Sequence, residues 1–489
     1  MTAEGAVAVA EIRMSPGWQR WANLTLLGRH WSDWLQLVSL AAAAAALAVA
    51  AAWGDQEACL TALAGLLVGY ALVRYVFARS DWRFLVSLFV TAFCLRVVLS
   101  IGLHWLLIAS GRGGFLLMDD RAYDKLGWTL ARVWMGIFPG IRDSDEYLMM
   151  NYTYLVSGIY FVLGHNLLAA KMLNVLFGAL TPVVVYAIGT ELWDRRVARI
   201  SALLMAFFPS LLIWSAINLK DILAVLLVEL AILGALIYAR RHVWWALVVA
   251  LLGLLAMENM RQFVYLILGW LMPAAFLLAD RSTWKRKLIL FAPLLLGVLL
   301  TFQITHNQKF GLNWLSVQAL TEAEWKRWFE ANRADSALEL DFDKPLKSQR
   351  DLVGLRSIAY LPRGIYYVLM APLPWEARST NSRAAIPEML VWYVLLLAAI
   401  PGLTTSLKAR WRDLFLPLGL SAGWIVALAL TEGNAGNIFR HRAQFMPYIL
   451  LLSAVGLVWL WGRYGLKAAG KSVLQPGTAP ARGGEAVSL

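Results

Sequence analysis

Read along its length, the chain alternates between long apolar runs and short polar breaks. Twelve runs stand out, at residues 34–53, 60–77, 84–108, 168–192, 200–217, 221–239, 243–258, 263–279, 288–305, 389–405, 414–431 and 443–461. Runs of about 17–25 apolar residues suit a bilayer-spanning helix. In hydrocarbon a helix satisfies its backbone within one segment. The pattern predicts an all-α polytopic membrane protein with about 12 transmembrane helices.

The breaks sort by charge. "ARSDWR", "DRRVAR", "ARR", "DRSTWKRK" and "SLKARWR" carry two to four Lys or Arg each, whereas "GDQEA", "NLKD" and "ENMRQ" carry none, one and one. Basic loops stay in the cytoplasm. Both termini are therefore expected there, with two long loops, 109–167 and 306–388, outside. Within the second, "LTEAEWKRWFEANR" has Thr321 and Glu324 in capping-box spacing and predicts a short amphipathic helix with a Trp325, Trp328, Phe329 stripe. "YLPRGIYYVLMAPLPWE" is expected to lie in the outer interface as short helix between Pro362, Pro372 and Pro374. Near the start, Trp18, Trp21, Trp31 and Trp34 among basic residues predict an interfacial helix on the cytoplasmic leaflet.

The organisation follows: an interfacial segment 1–33, a transmembrane hairpin 34–83, a core 84–305 containing the first outer loop, the loop 306–388, C-terminal transmembrane helices 389–462 and a Pro/Gly/Ala-rich tail 463–489. The chain has 489 residues, 60% hydrophobic and 15% charged, so it has no need of another fold class. Its formal charge of +13 belongs to the basic loops, and nothing in it suggests nucleic-acid binding. Cys59 and Cys94 fall in or beside apolar runs and make neither a disulfide framework nor a zinc site.

The candidate chemistry gathers at the outer turns. "GGFLLMDDRAYDKLG" places Asp119 and Asp120 just beyond the third run. A plain reading has them cap the helix that follows, since Asp suits a positive helix end. The other outer turns argue for more: "INLKDIL" carries Lys220 and Asp221, "MENMRQF" Glu258 and Arg261, and "EGNAGNIFRHRAQF" Arg440, His441 and Arg442. Together they ring a carboxylate pair with cations, a setting for an anionic lipid head group. The outside of a cytoplasmic membrane offers no nucleotide-sugar pool, so an enzyme there draws on a lipid-phosphate donor. Phosphate calls for Lys and Arg, and an acceptor hydroxyl calls for a positioned carboxylate base. Arg96 and Glu229 lie deeper; a buried ion pair between the third and sixth runs is the expected arrangement.

"MDDRAYDKLGWTLA" resembles the first outer-loop motif of glycosyltransferases with the GT-C fold, such as aminoarabinose transferases and protein O-mannosyltransferases. These have an Asp, a following acidic residue and a Tyr three residues later, matched here by Asp119, Asp120 and Tyr123. The stretch from "YLVSGIYFVLGHN" to "INLKDIL" is similar to the same families, and the resemblance covers residues 84–305. The remainder resembles membrane proteins of polysaccharide biosynthesis clusters. Two features depart from the pattern: "NYTYL" at 151–155 lacks the usual Tyr-Pro turn, and the first hairpin is additional.

The resemblance implies a bacterial inner-membrane enzyme with a periplasmic active site. It would transfer a sugar from a polyprenyl-phosphate donor to a glycan, lipid or protein acceptor, inverting the anomeric centre. Asp119 would be the general base. Asp120, Tyr123, Asp221 and Glu258 would hold sugar or acceptor, and Lys220, Arg261, Arg440, His441 and Arg442 the donor phosphate. A divalent cation, Mg²⁺ or Mn²⁺, is left open, with Asp119, Asp120 and Asp221 as the carboxylates to hold it. Two rivals remain: a polysaccharide polymerase or O-antigen-ligase-like enzyme, which "FRHR" would suit, and a transporter or flippase for a lipid-linked sugar.

Overall fold

A computed structural model describes residues 29–77, 81–140, 151–304, 317–333, 355–377 and 380–472. Trp18, Trp21 and the tail beyond residue 472 lie outside the described residues. Within them every element is a helix. The first hairpin is α1 (Arg29–Ala52) and α2 (Gln56–Ala71), turning at Gly54, whose φ of 97° is open to glycine. Then follow α3 (Trp82–Ala109), α4 (Met118–Trp134), α5 (Asn151–Leu163), α6 (Leu167–Leu192), α7 (Arg195–Phe207), α8 (Pro209–Ala216) and α9 (Asp221–Arg241). The second half comprises α10 (Trp244–Met257), α11 (Gln262–Ala279), α12 (Trp284–Ile304), α13 (Val317–Arg333), α14 (Leu355–Met370), a short α15 (Thr380–Ala384), α16 (Ile386–Thr431), α17 (Ala435–His441) and α18 (Met446–Ser472).

Each of the twelve apolar runs is helical over most of its described length. Counted by length and composition, nine helices among the described residues can cross a membrane, or ten if one bent pair is a single span. Three local differences explain the lower number. The run 200–217 is broken at Phe208–Pro209, where α7 and α8 meet at 55°. Proline cannot donate to the preceding turn and pushes the residue before it out of the helical region; Phe208 accordingly has ψ of 124°. The runs 389–405 and 414–431 are two helices that meet at a kink at Arg410, where φ is −147°, and count here as one element, α16. Finally, α10 has 14 residues.

The most enclosed helices are α6 and α9, while α1 and α12 face mostly outward. The basic turns meet at one end of the bundle. Arg199 bonds Asp81 at 3.0 Å, Arg240 bonds Asp413 at 2.7 Å, and Arg241 pairs with Glu191. The turns carrying Asp119, Lys220 and Arg440 meet at the other end. The first hairpin docks there too: Asn166, the N-cap of α6, donates to Asp55 at 3.0 Å and Glu57 at 3.1 Å. Elsewhere α16 crosses α18 so closely at Gly402 and Gly456 that a methyl on either would strike a backbone carbonyl of the other helix. Small residues permit such approach in the absence of a hydrophobic drive between helices.

Two expectations for the second long loop are revised. Thr321 does not start a helix, because α13 begins four residues earlier at Val317. Trp325 and Trp328 do stack, at 4.8 Å, but Glu324, Arg327 and Ala331 form the buried face. The aromatic stripe is therefore the more exposed one. Pro362 does not interrupt α14, which runs through it for 16 residues. One proline removes one hydrogen bond, and the far end of α14 is held by Arg442, whose guanidinium takes the Val368 and Ala371 carbonyls.

Candidate functional site

The site grows from the first turn of α4. Leu117 is its N-cap, and Asp119 and Asp120 occupy the turn that favours negative charge. Their side chains part company. Asp120 is fully buried and accepts backbone N–H groups from Leu116 at 3.1 Å and Asn218 at 3.2 Å. Asn218 returns a bond to the Asp120 carbonyl and accepts the Tyr152 hydroxyl at 2.6 Å. Asp120 thus ties the start of α4 to the turn before α9. Burial raises its carboxyl to about 6, against the pull of Lys171 and of the two N–H groups.

Asp119 points the other way, with its side chain 49% exposed. Arg440 at the end of α17 donates to it at 2.8 Å, and the Arg440 Nε lies 3.4 Å from Asp221. Asp221, buried at the start of α9, also takes Arg261 from the turn before α11. Lys220 stands beside these charges and is itself buried. Burial, then Arg261 and Arg440, bring its ammonium down to about 7. Tyr123, one turn along α4, is buried edge-on to Tyr152 at 5.2 Å. Burial, Asp221 and Asp119 hold its phenol above the usual range, so it remains a neutral donor. The Nε atoms of Arg261 and Arg440 and one oxygen of Asp221 are buried without a hydrogen-bond partner. Such groups are costly unless something satisfies them.

Asp119, Tyr123, Lys220, Asp221, Arg261 and Arg440 therefore converge, although they come from four separate stretches of chain. Other candidates do not join them. Arg442 is fully buried, spends its donors on Val368, Ala371 and Met389, and lies 5.2 Å over Trp392. It is a staple between α14 and α16 rather than a phosphate ligand. His441 is buried 3.4 Å from Glu432, with neither ring nitrogen hydrogen-bonded. Burial, then Arg261 and Arg440, keep it neutral. Glu258 caps α10 and makes no ion pair with the described residues; burial raises its carboxyl. The expected Arg96–Glu229 pair is absent as well. Arg96 donates to Ser215 at 3.0 Å and the Ala92 carbonyl at 3.1 Å, and both Glu229 oxygens lack a partner.

Among the described residues no three His, Cys, Asp or Glu side chains could hold a metal ion together. Asp119 and Asp221 are engaged by arginines, and Asp120 by backbone N–H groups.

The structure adds residues that the sequence reading passed over. Lys171 is buried in α6, donates to the Gly114 carbonyl at 2.6 Å and lies 3.3 Å from His104. Gly114 needs its positive φ of 85°, and a Cβ there would meet His104 at 2.8 Å. One turn along, Asn174 donates to the Ile217 and Leu219 carbonyls at 2.6 and 2.8 Å, shaping the turn that presents Lys220. Asp124 accepts the Tyr160 hydroxyl at 2.6 Å and faces His165 at 3.0 Å. A lysine inside an apolar run was the available signal.

Residues 150–306 match the family model of dolichyl-phosphate-mannose-protein mannosyltransferases. The resemblance expected over residues 84–305 is thus met over its larger part, and that stretch is similar to a membrane glycosyltransferase family. No curated protein matches the chain significantly. Two solved structures are similar to it. One is ArnT from Cupriavidus metallidurans bound to undecaprenyl phosphate, at 13% identity and TM-score 0.46, covering 81% of this chain and 64% of that one. The other is the archaeal oligosaccharyltransferase AglB from Archaeoglobus fulgidus in complex with an inhibitory peptide and a dolichol-phosphate. There the identity is 15% and the TM-score 0.44, over 81% of this chain and 52% of that one. The chain thus spans less than two thirds of either protein.

Proposed function

We propose that the chain is a GT-C-type membrane glycosyltransferase that moves a sugar from a polyprenyl-phosphate-linked donor to an acceptor hydroxyl at the Asp119 end of the bundle. The observation that carries this reading is the half-exposed Asp119 carboxylate, held by Arg440 above the buried Asp221. The match of residues 150–306 to a polyprenol-phosphate sugar transferase family supports the reaction class.

Lys220, Arg261 and Arg440 stand around Asp119 and Asp221, so cationic groups lie beside the carboxylates where a phosphodiester would bind. The Arg261 Nε, buried without a hydrogen-bond partner, supplies a directed donor. The acceptor O–H gives its proton to Asp119 as its oxygen bonds to the anomeric carbon. The bond from that carbon to the phosphate oxygen breaks, and the polyprenyl phosphate leaves with the electron pair. Charge developing on that oxygen is met by Arg440, Arg261 and Lys220. Direct displacement inverts the anomeric centre. Asp120 and Asn174 position the reacting groups by fixing the turns that carry them.

The charge asymmetry of the loops favours an outward-facing Asp119 end and cytoplasmic termini, and the family resemblance implies a bacterial inner membrane. A glycan, lipid or protein hydroxyl would serve as acceptor. The test is transfer in nanodiscs from a polyprenyl-phosphate sugar of defined anomeric configuration, with the product read by NMR. A product of opposite configuration supports the mechanism, and retention would overturn direct displacement.

A further inference from the structure

A charged cavity lies at the end of the bundle opposite the Asp119 site. It encloses about 690 Å³ and is lined by Arg240, Arg281, Arg286 and Arg410 with Asp280 and Asp413. Arg240 is 19 residues along α9 from Asp221, so at the rise of a helix the cavity is roughly 28 Å from the Asp119 site.

Its charges are unevenly spent. Asp413 accepts Arg240 at 2.7 Å. Asp280 accepts the Ser282 hydroxyl at 2.6 Å and N–H at 3.0 Å, and faces His242 at 3.1 Å. Arg410, at the break in α16, donates to the Leu192 carbonyl. Both carboxylates are therefore satisfied from within. Arg281 and Arg286 are exposed and have no hydrogen-bond or ion-pair partner among the described residues, so the cavity keeps an uncompensated positive edge.

Depth in the membrane narrows the ligand. Trp244, Trp245, Trp284 and Trp411 are all exposed, and each stands within three residues of a lining residue. Exposed tryptophans settle at the head-group level, which puts the mouth of the cavity where lipid phosphates lie. A planar guanidinium pair recognises phosphate oxygens bidentately. Basic pockets between transmembrane helices are suited to anionic head groups.

We propose that this cavity binds the phosphate of an anionic phospholipid from the leaflet opposite the Asp119 site, with Arg281 and Arg286 as its principal ligands. The lipid would bridge the α11–α12 turn to the break in α16 and to the end of α9. It would fix the packing of α16 against the core from the side remote from the chemistry.

The experiment uses full-length protein in nanodiscs of phosphatidylcholine, with and without phosphatidylglycerol. It compares wild type, Arg281→Gln/Arg286→Gln, and a control, Arg195→Gln/Lys408→Gln, that removes two exposed charges from the same end outside the cavity. Wild type and control should keep a phosphatidylglycerol adduct in native mass spectrometry and gain thermal stability from that lipid. The cavity variant should bind it about tenfold more weakly and lose the gain. Equal responses from the cavity variant and the control would reduce the effect to diffuse surface charge and overturn the proposal. Inorganic phosphate is added to phosphatidylcholine discs as a further arm. If it alone stabilises wild type through Arg281 and Arg286, while phosphatidylglycerol does not, the ligand is a soluble anion and the lipid assignment fails.

Discussion

Replacing Arg440 by Gln separates structural from chemical roles at the site, because Arg440 holds two carboxylates in different surroundings. Its bond to Asp119 ends on a side chain 49% exposed, and such pairs contribute only about 0.2–1 kcal/mol. Its approach to Asp221 ends on a side chain 1% exposed. Leaving a buried charge unpaired costs about 3–5 kcal/mol. Arg261 still holds Asp221 in the variant, so the cost should fall to about 2–3 kcal/mol. Asp119→Asn, by contrast, should lose less than about 1 kcal/mol. For activity the order differs. Loss of a donor to the leaving oxygen costs about 10²–10³ in turnover, and loss of a general base about 10²–10⁴. Denaturation midpoints in nanodiscs and sugar transfer, measured on both variants and their double, should therefore dissociate. Arg440→Gln loses stability and turnover, whereas Asp119→Asn loses turnover alone. If Asp119→Asn is as destabilising as Arg440→Gln, Asp119 is part of the framework and its catalytic assignment fails.

Asp120→Asn should cost about 1–3 kcal/mol, since an amide NH₂ would face one of the two N–H groups that Asp120 accepts. Burial pushes the wild-type carboxyl up to about 6 from its ordinary 3.8. The folded state holds the extra proton in between, so wild-type stability falls as pH rises through that window. An Asn variant showing the same slope would contradict this. Lys220, depressed to about 7, should take up a proton when a phosphodiester binds beside it. Donor affinity should be highest below that pH and weaken by up to about tenfold per unit above it; flat affinity from about pH 6 to pH 9 would refute the placement of Lys220. Gly456→Ala should lower the thermal midpoint by crowding the Ala398 carbonyl, at about 1–3 kcal/mol. Gly158→Ala, where nothing lies within 4 Å, is the control. Chelation of divalent cations should leave turnover unchanged.

Much of the fold was legible because each apolar run had to become a helix in lipid. The breaks were less so. Pro209 opens a new helix at its first position and so bends the span, whereas Pro362 sits inside one continuous helix. In the site, "FRHR" shows where local sequence runs out. Arg440 and Arg442 are two residues apart, so one faces the carboxylates and the other the carbonyls of α14. Only tertiary packing decides which. Asp119 and Asp120 diverge in the same way. Lys171 was readable as a charge inside an apolar run, while the role of Asn174 depends on a turn more than 40 residues away.

The most direct test of the account is donor binding and turnover measured together on Asp119→Asn in nanodiscs, using a radiolabelled polyprenyl-phosphate sugar. Retained binding with turnover reduced by about 10²–10⁴ is the result the account predicts. Unchanged turnover would contradict it and remove Asp119 from the chemistry.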